Sequence, residues 1–164
     1  MYRNCAGAVI SRTRGGLREV IIAKRTDQSR DAWQFPQGGV EANETAQAAS
    51  VREANEELGI PPNELRLIRQ LGEPVRYETP NSTWLNKSGY AGQEITWFLY
   101  DWNGDIRNCV IDVAHDGPGS QPEFCQVKWM DIRSWEEELA PYVAPFKSSM
   151  YKQLHQELLQ PIQK

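Results

Sequence analysis

Near the start of the chain, two apolar, β-prone runs, CAGAVIS and EVIIAKR, flank the polar stretch RTRGGLR. Gly15-Gly16 suits a tight turn, because glycine adopts positive φ without steric cost, so the segment predicts a β-hairpin. Alternation then breaks in DAWQFPQGGV, which reads as a loop from its proline and glycines and carries two large aromatics. Asn43 is a candidate N-cap for a helix running to about Leu58; Gly59 can close it in the left-handed conformation, and Pro61-Pro62 block continuation. Beyond it, ELRLIRQLG alternates as a strand and ETPNSTWLNKSGYAGQ is a polar loop long enough to suggest function. EITWFLYDW is apolar at most positions and predicts a central strand, and CQVKWM predicts another short one. In the tail, Phe146, Met150, Leu154 and Leu158 recur every four residues, as one face of a helix. Strands interspersed with helices give an α/β or α+β chain, read as one domain over 1–164.

The helix that follows the glycine-rich loop carries the chemistry. With Glu53 at the origin of a helical wheel, Glu57 lies about 40° to one side and Glu56 about 60° to the other. Ala48, Val51, Ala54 and Leu58 are expected on the opposite, core-facing side, with Asn55 a polar exception inside that arc. Like charges at this spacing repel by a few tenths of a kcal/mol per pair. A solvated face absorbs that cost, and for a lone E-x-x-E-E this is the commoner explanation. The other explanation is a hard cation held by oxygen ligands.

The wider stretch decides between them. Gly38, Glu44, Arg52, Glu53, Ala54, Glu56, Glu57, Gly59 and Ile60 fit G-x5-E-x7-R-E-U-x-E-E-x-G-U, where U is bulky and apolar; only Ala54 is smaller than the pattern asks. This resembles the Nudix box. The resemblance implies a Nudix-type α/β/α sandwich with a mixed β-sheet and a catalytic loop–helix. It also implies a divalent cation, Mg2+ first, with Mn2+ or another divalent metal as alternatives. Glu53, Glu56 and Glu57 would hold it, with the Gly38 carbonyl joining them. Arg52 would orient the carboxylates, Glu44 would support the loop–helix junction, and Gly39 and Gly59 would support the motif.

Further segments, YRNCAGAVI, AWQFPQGGVE, GQEITWFLYDW and PEFCQVKWM, occur in the order found in one Nudix subgroup, and PFKSSMYKQL is similar to a helix of its RNA-processing members. That subgroup holds RNA 5′-pyrophosphohydrolases and asymmetrical diadenosine tetraphosphate hydrolases. The resemblance spans roughly residues 2–158. It implies that Glu123 completes the metal site or acts as base, and that Arg25 and Lys87 lie near the phosphates. It places Tyr77 and Phe146 around a nucleobase and Gln93 at the flank of the site. Read without the resemblance, Glu123 is a surface residue at a strand entry, and Phe146 belongs equally to the helix stripe.

Composition narrows the partners. The net charge of −4 disfavours dense nucleic-acid binding, and no DNA partner is expected. Arg12, Arg14, Arg18, Lys24, Arg25 and Arg30 nevertheless make the first part of the chain locally positive. No apolar run is long enough to span a membrane, and MYRNCAGAVI lacks the layout of a signal peptide. Cys5, Cys109 and Cys125 form neither a zinc spacing nor an even set. A reducing cytoplasm is the expectation, with organelle import compatible and oligomeric state left open. The expected activity is metal-dependent hydrolysis of phosphoanhydride bonds in nucleoside-linked polyphosphates: pyrophosphate removal from 5′-triphosphorylated RNA, asymmetric cleavage of dinucleoside polyphosphates, or both. Glu53 or Glu123 would take the proton of the attacking water. Two alternatives stand beside it: a silent nucleotide-binding module, disfavoured because every box carboxylate is present, and a pyrophosphatase of oxidised nucleotides, disfavoured by WQFPQGG.

Overall fold

The computed structural model describes residues 1–27, 31–79, 87–112 and 120–160. Strands β1 (Tyr2–Arg14) and β2 (Leu17–Arg25) form the expected hairpin. Both turn glycines have positive φ, 56° at Gly15 and 79° at Gly16, as a two-residue turn matched to strand twist demands. The loop expected at DAWQFPQGGV contains two short strands, β3 (Trp33–Gln34) and β4 (Gln37–Gly39). After helix α1 (Ala46–Leu58) come β5 (Arg66–Gln70) and β6 (Val75–Glu78), then β7 (Gly92–Asp101) and β8 (Phe124–Asp131). A short helix α2 (Trp135–Glu138) and the terminal α3 (Ser148–Leu158) complete the order. Positions 80–86 of the polar loop fall outside the described residues.

The strands form one mixed sheet whose path runs β3-β2-β1-β7-β5, with β4 on β1, β6 on β7 and β8 on β2. At its centre β1 and β7 run parallel, in register from Tyr2 opposite Gly92 to Ser11 opposite Asp101. Each central strand changes its outer partner along its length. β1 pairs with β4 at Cys5–Gly7 and with β2 at Ser11–Arg14. β7 pairs with β6 at Gly92–Ile95 and with β5 at Phe98–Asp101. The sheet therefore forks, and β4 and β6 flank the same end.

Period-two alternation sends β7 side chains to two cores. Ile95, Trp97 and Leu99 pack with Trp135, Tyr151, Leu154 and Leu158 from α2 and α3, while Phe98 and Tyr100 pack with Ala54 and Leu58 of α1. The result is the expected α/β/α layering.

Helix α1 departs from expectation at its start and around its axis. Thr45, not Asn43, is the N-cap, its side chain accepting from Ala48 N at 3.1 Å; Asn43 lies in the loop at φ 65°, a conformation asparagine tolerates better than most residues. The core-facing set is Ala49, Ser50, Glu53, Ala54 and Leu58, whereas Ala48 is exposed. Glu53 thus points inward, toward the sheet. Asn55 is exposed rather than core-facing, and its Nδ2 donates to Ile60 O at 3.1 Å. Gly59 closes the helix as expected, at φ 71° with its N–H on Asn55 O at 2.8 Å.

Candidate active site

Arg52 is the hub of the α1 carboxylates. Its Nε and Nη2 grip Glu44 at 2.8 and 2.9 Å, a two-point contact that matches the planar guanidinium. Nη2 also donates to Gly39 O at 2.8 Å, and Nη1 donates to Glu53 Oε1 at 2.9 Å and Glu56 Oε2 at 3.3 Å. The hydrogen bonds to Glu44 raise the arginine above its ordinary range and hold the Glu44 carboxyl below its own. One side chain thereby fixes the loop, the helix entry and two of the three clustered carboxylates.

Glu53 is only 9% exposed and lies directly over Gly38. A Cβ at position 38 would overlap the Glu53 carboxylate, so any side chain there would displace it from the loop. Burial raises the Glu53 pKa, Arg52 opposes the shift, and Glu56 adds to it. Glu57 is raised further, first by burial and then by the charges of Glu53 and Glu123, while the backbone of Gln37 pulls the other way. Glu57 Oε2 is buried without a hydrogen-bond partner, and so is Gln37 Oε1. Buried oxygens without donors, next to a second carboxylate, are a donor set suited to a hard cation. Among the described residues, no three carboxylate, His or Cys side chains already converge on one point, and Arg52 Nη1 bridges Glu53 and Glu56. The donor chemistry fits a divalent ion, and its full coordination shell would need these side chains to rearrange.

Glu123 enters from β8. It is exposed, its backbone oxygen accepts from Thr26 N at 3.0 Å, and its charge bears on both Glu57 and Lys147. Arg25 is half-buried and bound to Asp27 at 2.7 and 3.0 Å, and its charge also reaches Lys147. Tyr77 is 8% exposed; its hydroxyl donates to Gln93 Oε1 and accepts from Gln37 Nε2 at 3.3 Å, and burial pushes it up to about 12. Its ring lies against Phe146, with centroids 6.1 Å apart. The two expected base-pocket aromatics are therefore partners of each other, and half-buried Phe146 also packs on the α2–α3 core. Lys87 is exposed and has no hydrogen bond or ion pair among the described residues.

Sequence reasoning passed over two cations here. Lys147 is 4% exposed, its Nζ donates to Gln34 Oε1 at 3.4 Å, and burial, then Arg25, lowers it to about 8, with Glu123 and Glu57 opposing. A signal for it existed: Lys147 precedes buried Tyr151 by four residues and Leu154 by seven, which sets it on the inward face. Arg3 lies over Gly39, where a Cβ would overlap its guanidinium, and stands opposite Gln93 in the sheet. No pattern in the local sequence marks it.

A family model described as NUDIX domain matches residues 1–154. An RNA pyrophosphohydrolase of Erythrobacter litoralis is 37% identical over 159 residues, covering 95% of this chain and 90% of that protein. One from Roseobacter denitrificans is 34% identical over 152 residues, covering 92% and 87%. A solved C. elegans Ap4A hydrolase superposes with TM-score 0.63 over 93% of each chain, at 22% identity, a likeness of fold.

Proposed function

The chain belongs to the NUDIX family of hydrolases, and from that premise we propose that it removes pyrophosphate from the 5′ end of triphosphorylated RNA. The observation that carries this reading is the likeness to curated RNA pyrophosphohydrolases along nearly the whole chain. Asymmetric cleavage of dinucleoside polyphosphates is the second reading, favoured by the net charge of −4, which suits a compact nucleotide better than a long polyanion. In either case one hydrolase domain, residues 1–164, works in the cytoplasm. No helix among the described residues is long and apolar enough to cross a membrane.

Hydrolases of this family need a divalent metal, and we assign Mg2+, with Mn2+ as the substitute. Glu53, Glu56, Glu57 and Glu123, with the Gly38 carbonyl, are the groups that would hold it. Bound there, the cation offsets the negative charge that develops on the phosphoryl oxygens. Arg52 keeps Glu53 and Glu56 aimed by holding both them and Gly39 O. Glu53 or Glu123 accepts the proton of the attacking water; burial raises the Glu53 pKa and so strengthens that carboxylate as a base. Lys147 has donor capacity beyond its bond to Gln34 and meets a phosphate oxygen, with Arg25 and Lys87 adding positive charge. Phe146, backed by Tyr77 and Gln93, offers a ring to the first base; such stacking contributes on the order of 1–3 kcal/mol.

The test is parallel incubation with triphosphorylated RNA, diadenosine tetraphosphate and free nucleoside triphosphates, in Mg2+, in Mn2+ and in chelator. The expected result is pyrophosphate release from RNA at least about tenfold faster, by kcat/KM, than hydrolysis of the other two. Chelator should stop turnover while circular dichroism stays unchanged. Faster cleavage of diadenosine tetraphosphate would move the assignment to the second reading. No cleavage of any substrate in saturating metal would leave a nucleotide-binding module instead.

A further inference from the structure

The segment that carries Gly38 is held from both layers of the sandwich. From α3, Tyr151 Oη accepts the Phe35 N–H at 2.8 Å, and Lys147 Nζ reaches the adjacent Gln34. From α1, the buried Glu53 carboxylate lies so close over Gly38 that a Cβ there would overlap it. Phe35 and Tyr151 also stack, with centroids 5.3 Å apart and planes 4° from parallel. Phe35 is 0% and Tyr151 2% exposed, so the contact between them is closed to water. Between the two anchor points lies Pro36, whose carbonyl is fixed by Ala8 N at 3.0 Å. Its ring locks φ, so a shift at Phe35 is passed on to Gln37 rather than absorbed.

We propose that Tyr151 is a positioning residue for the metal-bearing loop, its hydroxyl setting, through Phe35, Pro36 and Gln37, where Gly38 stands relative to the Glu53 carboxylate over it. The proposal rests on the reading of that cluster as the hydrolytic metal site. Tyr151→Phe keeps the stacked ring and removes one oxygen. The Phe35 N–H then has no partner in a dry interior, and the peptide turns to find one. A tyrosine that merely fills the core would not behave this way: its hydroxyl could be lost with a cost in stability and none in metal affinity.

Ser11→Ala supplies the comparison. It also deletes a buried hydrogen bond, Ser11 Oγ to Tyr100 O at 2.8 Å, but near the opposite end of β1 from Gly38. Mn2+ affinity, read from the electron paramagnetic resonance of free Mn2+, and steady-state kinetics on triphosphorylated RNA are measured for both variants. Tyr151→Phe should weaken Mn2+ binding and lower kcat by roughly tenfold each, with KM within about twofold, as for groups that orient metal ligands. Ser11→Ala should lower the melting temperature and leave affinity and kcat unchanged. In the wild type, Mg2+ should slow amide exchange at Phe35 and Gln37 together, a measurement independent of whether the variant folds. Equal Mn2+ affinity and kcat for the two variants, or protection of Gln37 without Phe35, overturns the proposal alone. A wild type that neither binds Mn2+ nor cleaves a phosphoanhydride overturns the site reading, and this proposal with it.

Discussion

Glu57→Gln should abolish turnover and, in the absence of metal, make the protein more stable above mildly acidic pH. The loss of turnover follows from removing one anionic oxygen from the donor set, and should exceed about 100-fold, the upper end of what loss of a merely supporting group produces. The gain in stability follows from burial. An ordinary glutamate ionises near 4.5, whereas folded Glu57 resists ionisation to well above that because it is buried beside Glu53 and Glu123. As pH rises past the ordinary value the unfolded chain gives up its proton first. The folded state then binds more protons than the unfolded one, and stability falls with pH. Glutamine has no proton to lose and escapes that fall. In chelator, the melting temperature of Glu57→Gln should therefore exceed wild type by a margin that widens as pH rises above the ordinary glutamate value of about 4.5. Saturating Mg2+ should reverse the order, because a cation that binds only the folded wild type stabilises it by mass action. Calorimetry across pH, with and without metal, reads all of this. A variant that melts below wild type at high pH in chelator would show that Glu57 is not a charge held at a cost.

Arg52→Lys should lower kcat by about 10–100-fold although the formal charge is kept. Arg52 contacts Glu44 at two points and also Gly39 O, Glu53 and Glu56. An ammonium is a point donor without the planar fork, and it cannot span these four partners together. Gly39 O loses its donor and Glu53 and Glu56 repel less well compensated. Breaking a buried pair costs about 3–5 kcal/mol, and the partial exposure of Arg52 argues for a smaller figure, about 2 kcal/mol. For a chain of this length that is a fall of several degrees in melting temperature. Kinetics and melting curves on the same sample decide it. Retention of more than half the wild-type kcat would mean that positive charge alone, rather than its geometry, organises the cluster.

The elements legible in the sequence were those whose pattern is long or whose terminators are strict. The β1–β2 hairpin was marked by Gly15-Gly16, β7 by its length, and the end of α1 by Gly59 followed by two prolines. β3, β4 and β6 span two to four residues, too few for alternation to register, and exist because β1, β2 and β7 offer them partners. The rotation of α1 departs from the wheel for a physical reason: solvent is the usual place for carboxylates, but the Arg52 guanidinium accompanies Glu53 inward toward the sheet. Lys147 was hidden by the same habit, because a lysine in a helix-entry turn is normally solvated. The box carboxylates, by contrast, are marked by residue type and spacing, which do not depend on the side they face; their role as metal ligands is what Glu57→Gln tests.

The parallel register at the centre of the sheet also governs when the protein can assemble. It joins Tyr2 to Gly92, ninety positions apart, whereas the hairpin beside it closes over a two-residue turn. Loop-closure entropy makes the distant pairing the slow step and the hairpin the fast one. During synthesis β1 therefore emerges, pairs with β2, and waits with its other edge bare until β7 leaves the ribosome. A bare strand edge invites pairing with another chain, and charge near it discourages that. Arg3, within the Tyr2–Ser11 stretch that β7 later covers, and Arg14 just beyond it supply charge in the interval before β7 arrives.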